Sequence, residues 1–332
     1  MDFLIRICIL FLSVLAAFVP MIAYLLLIWW MDRYLRQPLW MVALVFVWGA
    51  VGAISVGVTG SQFLEYPVAQ VFGRQATDAI GAILIAPLVE EIAKGCVLLL
   101  VAMRRDFNSI ADGVVFGAAA GLGFGMTENF LYFNQVYDSA GFSAWLQNVY
   151  ARTFYSAVLH CVTTSTFGMA LGFVKFRRET PHKIWIVAGG LLLAMMIHGF
   201  WNACMVLGSA FHSPLLVQAG LSILPVLVVL LFVAYQISLF LEGRILSMEL
   251  MEESDMGTIP VPHVAKLCSY FGRKGKDWCP PGIDREQYIA LAMRLASKRH
   301  QWKSATGGRK ARLESALSEL RWKLGQLLNR TV

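Results

Sequence analysis

The sequence predicts an all-α polytopic membrane protein with about seven transmembrane helices and a small cytoplasmic C-terminal helical hairpin. Hydrophobic residues make up 58% of the 332-residue chain and charged residues 15%, whereas a soluble domain carries roughly 25% charged residues. The charge is also uneven: residues 1–241 hold 12 Lys or Arg against 11 Asp or Glu, and residues 242–332 hold 16 against 10. We therefore expect an apolar bundle followed by a basic tail.

Seven stretches are long enough to cross a bilayer, which takes roughly 20 mostly apolar residues per helix. They are residues 3–30, 38–58, 78–103, 111–133, 148–174, 184–207 and 214–241. Residues 59–77 are too polar for a span, so we expect an interfacial or loop segment there. The tail is expected to contain a linker over 242–283 and a hairpin over 284–332, built from helices at 284–303 and 309–329. Within the linker segment, residues 242–255 are expected to continue the helix of the seventh span, and a Pro- and Gly-containing stretch follows over 257–282.

The basic residues of the short loops predict the orientation of the spans. One alternating set of loops holds eight of them: Arg33, Arg36, Arg104, Arg105, Lys175, Arg177, Arg178 and Lys183. The opposite side has only Arg74, with Arg6 near the start of the first span. Because cytoplasmic loops carry the excess of Lys and Arg, we expect a multi-pass cell-membrane protein with its N-terminus outside and its C-terminus in the cytoplasm.

The third predicted span contains three charged residues, Glu90, Glu91 and Lys94. Charges at bilayer depth are costly, so they usually serve a function. Glu90 and Lys94 are four residues apart and are expected to pair on one helix face. Glu91 points about 100° away and is expected to find its partner on another span.

Polar residues of three further spans lie at a similar predicted depth: Glu128 and Asn129, His160, and His198 and Asn202. A rise of 1.5 Å per residue places them and Glu91 roughly 20 to 24 Å from the cytoplasmic charges. Gly113, Gly117, Gly121 and Gly125 recur every four residues, a pattern that allows close helix packing. We therefore expect these side chains to share one cavity.

Two kinds of chemistry suit this set. A buried glutamate, Glu90 or Glu91, can activate water as a general base while imidazoles stabilise an oxyanion. Alternatively, Glu91, Glu128, His160 and His198 can bind Zn²⁺ and leave a position open for water. Both lead to hydrolysis, most naturally of a peptide bond in a membrane-tethered protein. The other hypothesis is a non-catalytic binding protein, or an ion or proton transporter that uses the polar cavity.

Four blocks resemble the PrsW-type intramembrane proteases, a family within the wider group of CAAX endopeptidases and bacteriocin-immunity proteins. They are APLVEEIAKG (86–95), DGVVFGAAAGLGFGMTENFLYF (112–133), RTFYSAVLHCVTTSTFGMALG (152–172) and HGFWNA (198–203). The blocks occur in the family's order and place a protease-like core at 78–207, within a transmembrane bundle over 1–241.

The resemblance implies an intramembrane endopeptidase acting on membrane-anchored proteins, with Zn²⁺ as a candidate cofactor. The best-known task of the family is the cleavage of an anti-sigma factor. The implied catalytic residues are Glu90, Glu91, Lys94, Glu128, Asn129, His160, His198 and Asn202. We expect Lys94 to tune the glutamates and Arg152 to orient substrate. The tail lies outside the resemblance and is expected to bind a cytoplasmic partner or anionic lipid. We expect no nucleic-acid partner.

Overall fold

The computed structural model describes residues 2–32, 34–104, 106–107, 109–175, 182–275 and 278–328, and it contains helices and no strand within these ranges. The helices are α1 (Asp2–Met31), α2 (Leu39–Val47), α3 (Ile54–Phe72), α4 (Arg74–Ile80), α5 (Ala86–Ala102), α6 (Ile110–Ala151), α7 (Ala157–Lys175), α8 (Lys183–Ala210), α9 (Pro214–Asp255), α10 (Val261–Cys268), α11 (Tyr270–Lys274), α12 (Arg285–Ser304) and α13 (Gly307–Leu328). Three π-helical segments join consecutive helices at Trp48–Ala53, Gly81–Ile85 and Arg152–Ser156. The all-helical class is confirmed for the described residues.

Five helical runs are long and apolar enough to cross a membrane. They are Phe3–Met31, Leu39–Phe72, Ile110–Lys175, Lys183–Ala210 and Pro214–Asp255. The run Ile110–Lys175 contains both the fourth and the fifth predicted spans, joined through a kink at Gly141, whose φ is 77°. The third predicted span is not among the five because it carries three charges. The chain is therefore a multi-pass membrane protein, while the number seven stays a prediction.

The orientation of the spans also stays a prediction. Four of the eight loop residues on which it rests, Arg33, Arg105, Arg177 and Arg178, lie outside the described residues.

The second predicted span is longer than expected. Its helix continues from α2 through a π-helical segment into α3 and ends at Phe72, so the loop expected at 59–77 is mostly helical. Polar side chains are accommodated inside this helix because they bond to its own backbone: the Thr59 hydroxyl donates to the carbonyl oxygen of Ser55 at 2.7 Å. Gly73, at φ 77°, then ends the helix.

Two compact units make up the chain, Met1–Met31 with Gln37–Tyr235, and Asp32–Arg36 with Gln236–Val332. In the first unit α6 is the central helix, because every residue from Ala111 to Gly125 is buried. Ser109 begins this helix with a capping box, in which its hydroxyl accepts from the Asp112 amide at 3.1 Å. A helix buried on all sides must be surrounded by others, and α1, α2, α5 and α7 pack against it.

The second unit has its own apolar core. Leu250, Tyr288, Leu295 and Leu324 are completely buried in it. In the segment predicted as a linker, 242–283, α9 continues to Asp255 as expected. The Pro- and Gly-containing stretch that follows is folded instead: it contains α10 and α11 and contributes Ile259, Val264 and Leu267 to the core. The predicted bundle boundary at 241 lies close to the boundary between units at Gln236.

Helices α12 and α13 occupy the residues predicted to form the hairpin, and both contribute to the core of the second unit. The hairpin itself and its cytoplasmic location stay predictions.

An ion cluster ties α9 to α12 and α13 inside the second unit. The Glu253 side chain is completely buried and lies 2.8 Å from Arg299 and 2.7 Å from Arg321. Lys303 lies 2.9 Å from Glu249 and 2.7 Å from Glu252. Each glutamate of this cluster thus has a cation within 3 Å.

Candidate active site

Glu91 is the centre of the polar cluster in the first unit. It is 1% exposed, and its Oε1 lies 2.6 Å from the Lys94 ammonium and 2.9 Å from Nδ1 of His198. Two hydroxyls also donate to it, Thr163 to Oε1 at 3.0 Å and Thr164 to Oε2 at 3.1 Å. The partners on α7 and α8 confirm that Glu91 is held by other helices, as expected.

Lys94 pairs differently from the expectation. Its ammonium lies 2.6 Å from Glu91 but 3.8 Å from Glu90, so the expected Glu90–Lys94 pair is the weaker contact. Lys94 is completely buried; its ammonium lies 3.2 Å from Nδ1 of His160 and 4.5 Å from the centroid of the Phe124 ring. These partners draw the ammonium towards α6 and α7, where Glu91 also points.

The glycines of α6 allow α7 to pack closely enough to place His160 beside Glu128. A Cβ added at Gly113 would collide with the carbonyl of Gly168, and one added at Gly121 would collide with the carbonyl of His160. One turn further along the ridge, a Cβ at Gly125 would lie 3.2 Å from Cα of Ala157. The small residues therefore permit backbone contact between the two helices, and Nε2 of His160 lies 2.7 Å from Oε2 of Glu128.

Arg152 joins the two polar residues of α6. One of its terminal nitrogens lies 2.7 Å from Oε2 of Glu128, and its Nε donates to Oδ1 of Asn129 at 3.0 Å. Its guanidinium carbon lies 3.9 Å from the centroid of the Tyr132 ring. Arg152 belongs to a π-helical segment, and such segments are frequent at functional sites.

His198 and Asn202 lie one turn apart on α8. The Asn202 amide donates to the carbonyl oxygen of Ala82 at 2.8 Å, in the π-helical segment that precedes α5. Nδ1 of His198 donates a hydrogen bond to Oε1 of Glu91, because an ionised carboxylate can only accept. Its Nε2 therefore carries the lone pair, and it lies 3.9 Å from Oε2 of Glu90.

A cavity of about 340 Å³ opens beside this cluster. Its polar lining consists of Glu90, Glu128, Arg152, Ser156, His160, His198 and Asn202, with the Tyr132 and Tyr155 side chains beside them. Glu91, Lys94 and Asn129 do not line it. Oε2 of Glu90 is buried and accepts no hydrogen bond from any described residue. The two adjacent glutamates thus differ: Glu91 is saturated with donors, whereas one oxygen of Glu90 has none.

The residues whose ligand atoms lie closest together differ from the predicted metal ligands. Ligand atoms of Glu90, His160 and His198 lie within 4.8 Å of one another. Glu91 binds behind His198, where it orients the imidazole as carboxylates behind metal-bound histidines commonly do. Glu128 instead contacts His160, so ligation by Nε2 of His160 would replace that contact. Two imidazoles and one carboxylate, Glu90 with its orphaned oxygen, fit a zinc site with an open position.

Three functional contacts were not predicted. Thr163 and Thr164 bind Glu91, and Tyr132 stacks on Arg152. The spacing offered a signal for the threonines, because residues three and four after His160 lie on its helix face. Tyr132 lies four residues after Glu128 and could have been found in the same way.

The chain matches a known protein family. The model of the PrsW family of intramembrane metalloproteases matches residues 37–235. The chain belongs to this family. Among curated proteins named Protease PrsW, that of Shouchella clausii is 26% identical over 190 residues, 57% of this chain and 81% of its own length. Those of Geobacillus kaustophilus and Halalkalibacterium halodurans are 26% and 27% identical, over 56% and 58% of this chain and 76% and 83% of their own lengths.

No solved structure matches the chain significantly. The family assignment confirms the resemblance in the sequence and the implied activity, that of a peptide-bond hydrolase in the membrane. The matched region ends at Tyr235, where the first compact unit also ends. The second unit is therefore an addition to the part that the family model describes.

Proposed function

We propose that the cavity on α5–α8 hydrolyses a peptide bond of a membrane-anchored protein, with Glu90 as the working carboxylate. The observation that carries this proposal is the unpartnered Oε2 of Glu90, which is buried at the cavity and lies near Nε2 of His198. A buried acceptor without a donor is costly, so the folded protein keeps it available for another molecule. Water or a metal ion fits that position.

The neighbouring residues would act through position. Glu91 fixes the tautomer of His198 and directs its Nε2 towards Glu90, so we assign Glu91 as a positioning residue. Lys94 places both Glu91 and His160. Glu128 is held by Arg152 and directs the His160 ring. These roles distinguish the two glutamates between which the sequence offered no choice.

The chemistry of the chain's own residues can be written as a balanced hydrolysis. The oxygen of a water molecule forms a bond to the scissile carbonyl carbon while Glu90 takes a proton from that water. The Asn202 amide lies on the cavity wall, and its second N–H would donate to the developing oxyanion. When the C–N bond breaks, Glu90 returns the proton to the leaving amine.

A zinc ion is the second element of the proposal. Glu90, His160 and His198 would hold it, and a bound Zn²⁺ supplies Lewis-acid activation of water. Metal analysis of the purified protein tests this: we expect about one zinc per chain, lost together with activity on treatment with 1,10-phenanthroline. Full activity in a protein that contains no zinc would exclude a catalytic metal ion, and Glu90 would then act as the general base.

The proposal also covers the kind of substrate and the topology of the chain in the membrane. The family resemblance supports regulatory proteolysis, such as the cleavage of an anti-sigma factor. The loop charges support seven spans with the N-terminus outside and the tail, including a hairpin over 284–332, in the cytoplasm. We also propose that this tail binds a partner. Deletion of 284–332 should then leave cleavage of a generic substrate intact.

The activity is tested with the full chain reconstituted in proteoliposomes together with a set of tagged single-span proteins. We expect cleavage products from the wild type and none from His198→Ala, with Asp138→Asn as an inert control because Asp138 pairs with Arg6 at an exposed site. Ion flux without any cleavage product would instead favour the transport hypothesis. Equal cleavage by His198→Ala would overturn the site assignment.

A further inference from the structure

A group of cations surrounds two tyrosines in the second unit. The guanidinium carbon of Arg273 lies 5.3 Å from the centroid of the Tyr34 ring, and the Lys274 ammonium lies 4.7 Å from that of Tyr270. Hydrogen bonds from Lys274 and then Arg36 lower the pKa of Tyr270. Arg36, Arg273 and Lys274 therefore converge on one small region, although they come from two distant parts of the sequence.

Asp32 of this region is buried, whereas two of the cations are exposed. Asp32 interacts electrostatically with Arg36 and Arg273, and it is 2% exposed. Burial is the main cause that raises the pKa of Asp32 to about 6. Arg36 and Lys274 are both exposed. The region thus presents positive charge to its surroundings.

The sequence connections place this region at the membrane surface. Asp32 follows Met31, the last residue of the apolar run Phe3–Met31, and the next apolar run begins at Leu39. A link this short between two spans lies at the end of both, at the level of the lipid headgroups. Helix α11 lies at the same level because Arg273 contacts Tyr34 within that link.

An exposed aromatic residue completes the region. Phe271, between Tyr270 and the two cations of α11, has 82% of its surface exposed. Aromatic side chains beside Lys and Arg are typical of segments that lie in the membrane interface. In water this phenyl ring would gain nothing from its position, whereas among lipid chains it would be buried.

We propose that Arg36, Lys274 and Phe271 form a binding site for an anionic phospholipid. The Arg36 guanidinium would donate two hydrogen bonds to the phosphate, as arginine forks commonly do, and Lys274 would add a point charge. Phe271 would enter the layer below the headgroup. The site shares no residue with the peptidase cavity, and it assigns lipid recognition to α11 and Arg36 and not to the predicted hairpin.

Native mass spectrometry of the full-length protein, released from detergent with added lipid, tests the proposal. The probes are dioleoylphosphatidylglycerol, dioleoylphosphatidylcholine and free glycerol 3-phosphate. A cation near an anionic membrane surface is worth roughly a fivefold change in affinity. We therefore expect tight retention of phosphatidylglycerol, roughly 25-fold weaker in the double variant Arg36→Ala with Lys274→Ala, and several-fold weaker in Phe271→Ser.

The matched control is Arg309→Ala with Arg312→Ala, which removes two exposed cations of α13 and should leave retention unchanged. Phe271→Ser keeps every cation and changes only an exposed side chain, so a loss there cannot come from misfolding of the cluster. Unchanged retention in the Arg36 and Lys274 variant, equal loss in the control, or equal binding of phosphatidylcholine would overturn the proposal. Equal affinity for glycerol 3-phosphate would show a free-anion site and also overturn it.

Discussion

The two units each contain a cluster of three glutamates with cations, but the clusters are built differently. In the second unit Glu249, Glu252 and Glu253 each have an Arg or Lys within 3 Å. In the first unit Glu91 and Glu128 have such a partner, whereas the nearest cation of Glu90 lies 3.8 Å away. The same residue types thus form a closed structural network in one place and leave one carboxylate open in the other. The difference supports the proposal that Glu90 is the working carboxylate.

The largest expected effect is on cleavage by Glu90→Gln, which is nearly isosteric. A general base contributes typically 10²- to 10⁴-fold to the rate, so we expect the cleavage rate to fall by about that factor. Little stability should be lost, because Oε2 of Glu90 accepts no hydrogen bond from the described residues. Cleavage in proteoliposomes and the melting temperature in detergent check both parts. A large drop in melting temperature would show that Glu90 is structural.

Glu91→Gln should behave in the opposite way. Removing one partner of a buried ion pair costs about 3 to 5 kcal/mol, and Lys94 would be left without its closest carboxylate. We expect a clearly lower melting temperature, with activity reduced through the displaced His198. A variant that melts like the wild type would contradict the role of Glu91 as the centre of the cluster.

Gly121→Ala tests how the close packing of α6 and α7 contributes to the open site. The added methyl group would meet the carbonyl of His160, and overpacking typically costs about 1 to 3 kcal/mol. We expect lower stability and slower cleavage together, because α7 and His160 must move away from α6. Gly189→Ala is the matched control, since a Cβ at that helical glycine meets nothing within 4 Å.

Glu253→Gln probes the closed network of the second unit. Glu253 is fully buried, but its partner Arg321 is 37% exposed, so solvent screens part of the interaction and we expect a cost of about 1 to 2 kcal/mol. Cleavage per folded molecule should not change. Limited proteolysis of the tail, compared with the exposed-pair variant Lys323→Ala, would measure the effect. A cleavage defect here would show that the tail belongs to the catalytic unit.

The sequence predicted the apolar helices and the polar residues that the structure brings into one cluster, because both leave strong signals. Charges such as Glu90 and Glu91 stand out in an apolar span, and the polar residues of four spans agreed in predicted depth. Helix ends were harder to predict, as at Phe72, because side chains such as Thr59 satisfy their own helix and remove the polar signal.

The pairing of the charged residues within the site could not be predicted from the sequence. Helical spacing allowed Lys94 to pair with Glu90, and only the packing of α7, with His160, Thr163 and Thr164, draws it to Glu91. The fold of 257–282 was missed for a similar reason. Its Pro and Gly residues suggested a linker, while Ile259, Val264 and Leu267 are buried through contacts that come from distant sequence.

The most direct test is cleavage of a single-span substrate in ¹⁸O-labelled water, with wild type and Glu90→Gln side by side in proteoliposomes. Our account predicts one ¹⁸O atom in the new carboxyl terminus of the wild-type product and almost no product from Glu90→Gln at an unchanged melting temperature. Labelled product from Glu90→Gln at a rate close to that of the wild type would contradict it.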